Sequence, residues 1–348
     1  MTWIAELGLS LPLIQAPMAG TSTPELAAAV SNAGALGSIA VGATDAAGAQ
    51  AMIARTRSLT ARPFNVNLFV HATPMPDAAR EAAWLADLAP LFARYGATPP
   101  AGLRTIYQSF ADDDAMLRLL VAQAPPIVSF HFGLPDAARI AALKGAGCRL
   151  LATATSLAEA EACKVAGIDA VVAQGWEAGG HRGVFDPDAP DDRLGTFALT
   201  RLLVVRSGLP VIAAGGIMDG AGIRAALDLG AVAAQLGTAF VRCPETGADT
   251  AYRAAMAGPA AAHTVMTRTI SGRPARCLTN RFTAWGADAR RDVPAYPIAY
   301  DAGKALNAAA KAAGEPGFGA QWAGQGAPLS RALPAADLVA RLAEEAGL

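Results

Sequence analysis

Residues 149–174 read RLLATATSLAEAEACKVAGIDAVVAQ. A mostly apolar run over Arg149–Ala154 is followed by Ser156 and Glu159, then by a second apolar run over Ala170–Gln174. Each run has the length of a strand, and unbroken apolarity marks a strand covered on both faces. Ser156 with Glu159 three residues on is a capping-box signature, so a helix is expected over 156–166. Strand, helix and strand in so short a span imply a parallel pair joined by a crossover.

The same unit repeats outward along the chain. Further strands are expected at 13–17, 36–40, 64–70, 127–132, 210–214 and 231–236. Helical spacing fills 24–32, 135–144, 196–206 and 220–229 between them. Eight strands alternating with helices fit a closed α/β (β/α)8 TIM barrel. The rival is an open doubly wound sheet, but its Gly-x-Gly-x-x-Gly fingerprint is missing, because the first strand runs into Pro17-Met18-Ala19-Gly20. The barrel is assigned to residues 1–242, with an insertion at about 71–126. The insertion holds an amphipathic helix near 76–95 and a Pro/Gly turn at 98–102. Residues 243–348 are read as a C-terminal lid that packs back on the barrel, with a last helix over 334–346 docked outside.

Composition excludes several classes. The 348 residues are 53% hydrophobic and 16% charged, with net charge −1 and pI about 6.4. That balance gives no reason to expect nucleic acid or an anionic membrane surface as partner. No run of apolar residues is long enough to span a bilayer. Met1-Thr2-Trp3 shows no basic region ahead of an apolar core, so no signal peptide is expected. Cys148, Cys163, Cys243 and Cys277 have neither zinc nor redox-motif spacing. They read as free thiols in a cytoplasmic protein, a monomer or homodimer.

Barrel chemistry sits at the C-terminal ends of the strands. Polar residues stand there on nearly every expected strand: Asn67, His131, Thr153 and Thr155, Gln174, and Gln235. The last two strands run into Gly215-Gly216 and Gly237-Thr238. Glycine turns at this pair of strands offer backbone N–H groups to a phosphate. FMN, pyridoxal phosphate or a sugar phosphate would suit such a site. Pyridoxal phosphate needs a Schiff-base lysine, and none of Lys144, Lys164, Lys304 and Lys311 falls at a strand end. The amides of Asn67 and Gln174 suit the pyrimidine edge and ribityl chain of FMN.

The stretch 173–183, AQGWEAGGHRG, places His181 behind a glycine pair after a buried strand. It can be a structural histidine, a metal ligand or a base beside a cofactor. Glycines between Glu177 and His181 argue against a helix presenting both to a metal, and no metal is expected. Imidazole is suited to proton transfer near neutral pH. His131 is a second inward candidate, while His71 and His263 default to packing or surface roles.

These motifs resemble the class I nitronate monooxygenases, once called 2-nitropropane dioxygenases. The resemblance rests on Leu13 through Gly20, Phe64 through Phe69, Ser129 through Gly133, Gln174 through Gly183, Ala213 through Ile217, Gln235 through Thr238 and Trp322 through Gly326. Tyr296, Tyr300 and Lys304 resemble the family's substrate-pocket set, although four-residue spacing also describes any solvated helix face. The resemblance implies FMN held by Ala16, Pro17, Met18, Asn67, Gln174, Gly179, Gly180, Gly215, Gly216, Gln235, Leu236, Gly237 and Thr238. It implies His181 as the catalytic base, with His131, Tyr296, Tyr300 and Lys304 binding substrate. Alkyl nitronates, propionate 3-nitronate among them, would be oxidised with dioxygen to carbonyl compounds and nitrite. The same superfamily holds NAD(P)H-dependent FMN reductases of quinones and enoyl thioesters. Arg268, Arg273, Arg276, Arg281, Arg290 and Arg291 keep a nicotinamide site open as an alternative. A non-catalytic flavin- or phosphate-binding protein is the third possibility.

Overall fold

A computed structural model describes residues 3–287 and 291–348; Arg290 therefore lies outside the described residues. Among the described residues the strands are β1 (Leu13–Gln15), β2 (Gly37–Ala40), β3 (Phe64–Phe69), β4 (Ile127–His131), β5 (Arg149–Ala154), β6 (Ala170–Gln174), β7 (Gly180–His181), β8 (Val211–Ala214), β9 (Ala233–Leu236), β10 (Thr264–Thr267) and β11 (Ala275–Leu278). Eight of them form one parallel sheet in the order β1-β9-β8-β6-β5-β4-β3-β2. A parallel bridge between Ile14 and Leu36 brings the two edges together and closes the barrel. Helices Pro24–Asn32, Ala46–Leu59, Ala137–Gly145, Leu157–Val165, Thr196–Arg206 and Gly220–Asp228 lie between the strands. Burial on both faces explains why the barrel strands read as continuous apolar runs.

The opening stretch folds as its pattern requires, with one difference. Ser156 caps the helix Leu157–Val165 by accepting from the Glu159 N–H at 3.2 Å. Glu159 does not complete the box. Its carboxylate accepts from the N–H and hydroxyl of Thr155 at 2.6 and 2.7 Å, and from the Phe185 N–H at 2.8 Å. The helix start thereby holds the loop that follows His181.

The insertion and the extension pack on each other. Trp84, Leu88, Leu91 and Phe92 of helix Ala78–Arg94 share a core with Phe282, Phe318 and Leu306 of the extension. The second insertion helix, Asp114–Gln123, instead packs Met116 and Leu120 into the barrel core. A small antiparallel sheet, β10-β11-β7, pairs Ala275 with His181 and Arg276 with Gly180. The segment after β6, expected as loop throughout, is therefore stitched into the extension. Helix Ala335–Ala346 lies outside, with Leu338, Val339 and Leu342 packed beside Leu26, Val30 and Ile223 of two barrel helices.

Leu338→Ala is expected to cost about 2–5 kcal/mol, since it empties a fully buried site. A urea midpoint unchanged from the parent would show that this helix contributes nothing to barrel stability.

Candidate active site

The strand ends and the extension enclose a cavity of about 620 Å³. From the barrel, its wall takes Ala16, Pro17 and Met18 after β1, Asn67, His131, Thr153, Gln174, Gly215, Gly216, Gln235, Gly237 and Thr238. From the cover come Tyr107, Tyr296, Tyr300, Lys304 and Trp322. Gly179, Gly180 and His181 join them. Leu236 is the exception among the expected residues. Its neighbour Gln235 faces the cavity, and alternation along β9 turns Leu236 outward into the helix layer, where it is 1% exposed.

Two different constraints require the glycine pair. A Cβ on Gly179 would stand 2.4 Å from the Gly324 nitrogen and 2.5 Å from the Ala323 carbonyl carbon. The close approach is thus to the extension backbone. Gly180 has φ +74°, where a side chain is strained. The loop is fixed on every side. Glu177 accepts from the Thr196 N–H and hydroxyl at 2.7 and 2.9 Å, and its own carbonyl accepts from the Gln325 N–H at 2.9 Å. Arg182 makes a two-pronged ion pair with Asp191 at 2.8 and 3.0 Å.

Two side chains converge on the His181 carbonyl. The Gln174 amide donates to it at 2.9 Å and His131 Nε2 at 3.1 Å. Gln174 Oε1 accepts from the Gly183 N–H at 2.7 Å. Because a carbonyl only accepts, His131 carries its proton on Nε2, and Nδ1 accepts from the Thr153 hydroxyl at 2.9 Å. Both ring nitrogens of His131 are thereby used, and so are both heavy atoms of the Gln174 amide. These residues line the cavity, but their polar atoms hold the His181 loop. The His181 Nε2 meets Ser271 Oγ at 2.9 Å, and that hydroxyl donates to the Arg273 carbonyl at 3.3 Å. This order makes His181 the Nε2–H tautomer and leaves Nδ1 as its free lone pair.

Burial sets the protonation states. It pushes His181 down to about 3, aided by the nearby His131, Arg273 and His71. It pushes His131 and His71 down to about 4. All three imidazoles are neutral at physiological pH. Burial likewise raises Tyr296 and Tyr300 well above the usual phenol range, so both remain hydrogen-bond donors. The Tyr296 hydroxyl is buried without a protein partner. Lys304 stands 5.0 Å from the Tyr107 ring and 5.3 Å from the Tyr300 ring.

Residues 3–345 match the nitronate monooxygenase family. A nitronate monooxygenase of Paraburkholderia phytofirmans is 66% identical over 97% of this chain and 93% of its own. One from Pseudomonas aeruginosa is 57% identical over 97% of each chain. The nitroalkane oxidase structure from Streptomyces ansochromogenes superposes with TM-score 0.91 at 42% identity, covering 99% of this chain and 97% of that one. The chain belongs to the nitronate monooxygenase family. It is an oxidoreductase.

Flavin dependence is general among nitronate monooxygenases, and the cavity fits such a group. The N–H groups of Gly216 and Gly237 have no acceptor among the described residues. A Cβ on Gly237 would crowd Ala16 at 3.3 Å, so the glycine keeps that turn open. In the first turn of helix Gly220–Asp228 the Gly222 N–H donates to the Asp219 carboxylate and the Gly220 N–H to Glu345. The Gly216 and Gly237 N–H groups are not committed in this way.

The arginine-rich stretch is committed elsewhere. Arg276 donates to the Trp176 carbonyl, Arg268 to Asp188 and the Pro187 carbonyl, Arg273 to Val184, Arg281 pairs with Glu315, and Arg291 with Asp87. Among the described residues no cluster of them is free for a nicotinamide phosphate. Reading the sequence missed Tyr107 and Ser271, and named Arg273 only within the arginine set considered for a nicotinamide. Tyr107 lies in irregular chain, where no periodicity marks it, and Ser271 acts only through its contact with His181.

Two outcomes follow from this geometry. Gly179→Ala should lower kcat/KM by about a hundredfold, because moving a reacting group by an ångström costs that much; a folded variant with parental activity would show that the loop position is not critical. Stability of the protein without its cofactor should fall as pH drops from about 6.5 toward 4, because His71, His131 and His181 take up protons only when unfolded. A flat melting temperature between those pH values would contradict the buried neutral histidines.

Proposed function

We propose that this enzyme binds FMN in the cavity and oxidises alkyl nitronates, propionate 3-nitronate among them, with dioxygen to carbonyl compounds and nitrite. The observation that carries the reading is a neutral His181 beside phenol donors and an ammonium in one enclosed pocket. When bound, FMN supplies the one-electron chemistry and the reaction with dioxygen. The chain supplies the rest. Its glycine turns after β8 and β9 donate to the phosphate. Tyr296, Tyr300 and Lys304 face the nitro oxygens, where negative charge resides. His181 Nδ1 accepts the carbon-bound proton of a neutral nitroalkane, and Nε2–H stays fixed on Ser271. A ready-made nitronate has already lost that proton and does not need the base. Residues 243–348, with helix Ala78–Arg94, act as the cover that keeps water out.

His181→Asn should abolish turnover of neutral nitroalkanes and leave nitronate turnover within about tenfold of the parent. Equal loss on both substrates would remove His181 from the role of base. Mixed without oxygen, the yellow enzyme should change its flavin spectrum rapidly with propionate 3-nitronate and not with NADH or NADPH. Bleaching by a nicotinamide alone would make the protein a reductase instead.

A further inference from the structure

Arg273 is 3% exposed, yet no carboxylate among the described residues lies within ion-pair distance of it. Its guanidinium donates to the carbonyls of Val184 and Phe185, the latter at 3.4 Å, and its Nε is buried without a partner. A buried cation answered only by carbonyls is expensive to keep. Of the two carboxylates whose charge reaches it, Glu159 is half-buried and committed to Thr155 and Phe185, and Asp186 is exposed. Packing alone gives no reason to prefer a guanidinium here to an apolar chain of similar length.

The guanidinium lies 4.3 Å over the centre of the Phe132 ring. That ring also meets His131 at 4.6 Å, Tyr296 at 5.3 Å and His181 at 5.5 Å. Phe132 has φ +80°, a conformation unfavourable for a bulky residue and held only where the surroundings enforce it. The next residue, Gly133, has φ +154°, and a Cβ there would meet the Val70 carbonyl oxygen at 2.7 Å. The strained turn after β4 therefore seats an aromatic plate that touches both a buried cation and groups that line the pocket. The same arginine is tied to His181 through its backbone, by way of Ser271.

We propose that Arg273 is a fixed positive charge, stacked on Phe132, that draws anions into the pocket. It acts through its field and is a positioning residue. The inference rests on the nitronate reading for its purpose, since an anionic substrate is what such a charge would favour. The other groups around His181 do not replace it. His71 and His131 are neutral, Arg182 is answered by Asp191, Tyr296 and Tyr300 are phenols, and Lys304 stands over the Tyr107 and Tyr300 rings.

The test uses inorganic nitrite, titrated into the flavin-loaded enzyme and followed by flavin absorbance. Nitrite shares the two oxygens and the charge of a nitronate group, and its binding needs no turnover. Failure of the nitronate reading would show as no oxidation by the parent enzyme, independently of this titration. Arg273→Met should weaken nitrite by about tenfold. A folded Arg273→Met enzyme with parental nitrite affinity would overturn the proposal. Should methionine prevent folding, Arg273→Lys decides. A buried ammonium loses its proton more readily than a guanidinium, so nitrite affinity should fall between about pH 6 and 9 in the lysine enzyme and stay flat in the parent. A flat profile in the lysine enzyme would overturn the proposal as well.

Discussion

The backbone seam between the loop after β6 and the C-terminal extension is the constraint on which the site depends. β7 pairs with β11, and Gly179 touches Ala323 and Gly324 at distances that exclude a side chain. A barrel alone would leave the residues after Gln174 as a solvent loop. The seam converts that loop into the floor of a closed pocket and fixes the direction of His181. It also orders the other contacts. Gln174 and His131 spend their polar atoms on the His181 carbonyl, and Ser271, just ahead of β11, takes the ring nitrogen. The histidine is held at backbone and ring from both halves of the molecule, so its free nitrogen has one orientation.

Closing the pocket has an electrostatic consequence. Three buried histidines packed about one aromatic cluster cannot all carry charge, and burial leaves them neutral. Neutral imidazole is what a base requires, but it gives an anion nothing to bind. The positive charge must come from groups that do not readily lose a proton, and the surroundings hold two of them. Lys304 stands at one wall over two phenol rings, and Arg273 lies against Phe132. On the proposed reading, base and anion site are separate functions on separate residues, although they sit within one aromatic cluster.

Much of this was legible in the sequence. Strand existence was readable because the barrel strands are buried on both faces and carry unbroken apolar runs; β5 and β6 fall where the pattern puts them. The polar residues at the strand ends were readable for the same reason, since Asn67, Gln174 and Gln235 interrupt those runs. The Leu236 side chain lies off the cavity because a motif names residues in a row while a strand faces two ways. What the sequence hides depends on the cover. Arg273 and Arg276 resemble surface or phosphate-binding arginines until the extension buries them. Tyr107 sits in chain without regular structure and reaches the pocket only because helix Ala78–Arg94 docks on the extension. The distinction between Gln174 as cofactor ligand and Gln174 as loop anchor is likewise one of geometry, which residue type cannot supply.

The division of labour also bears on how one barrel serves different chemistries. Glycine turns after the last two strands can hold a phosphate without regard to what happens elsewhere in the cavity. The barrel residues nearest His181 are spent on holding its loop. Groups free to choose a substrate are those the cover brings: two phenols from the extension, one from the insertion, an ammonium, and the field of a buried guanidinium. A change of substrate is therefore most economically made in the cover, by altering which donors face the pocket and whether its positive charge persists. The seam at Gly179 limits how far such change can go, because any cover must still present a backbone flat enough to meet it.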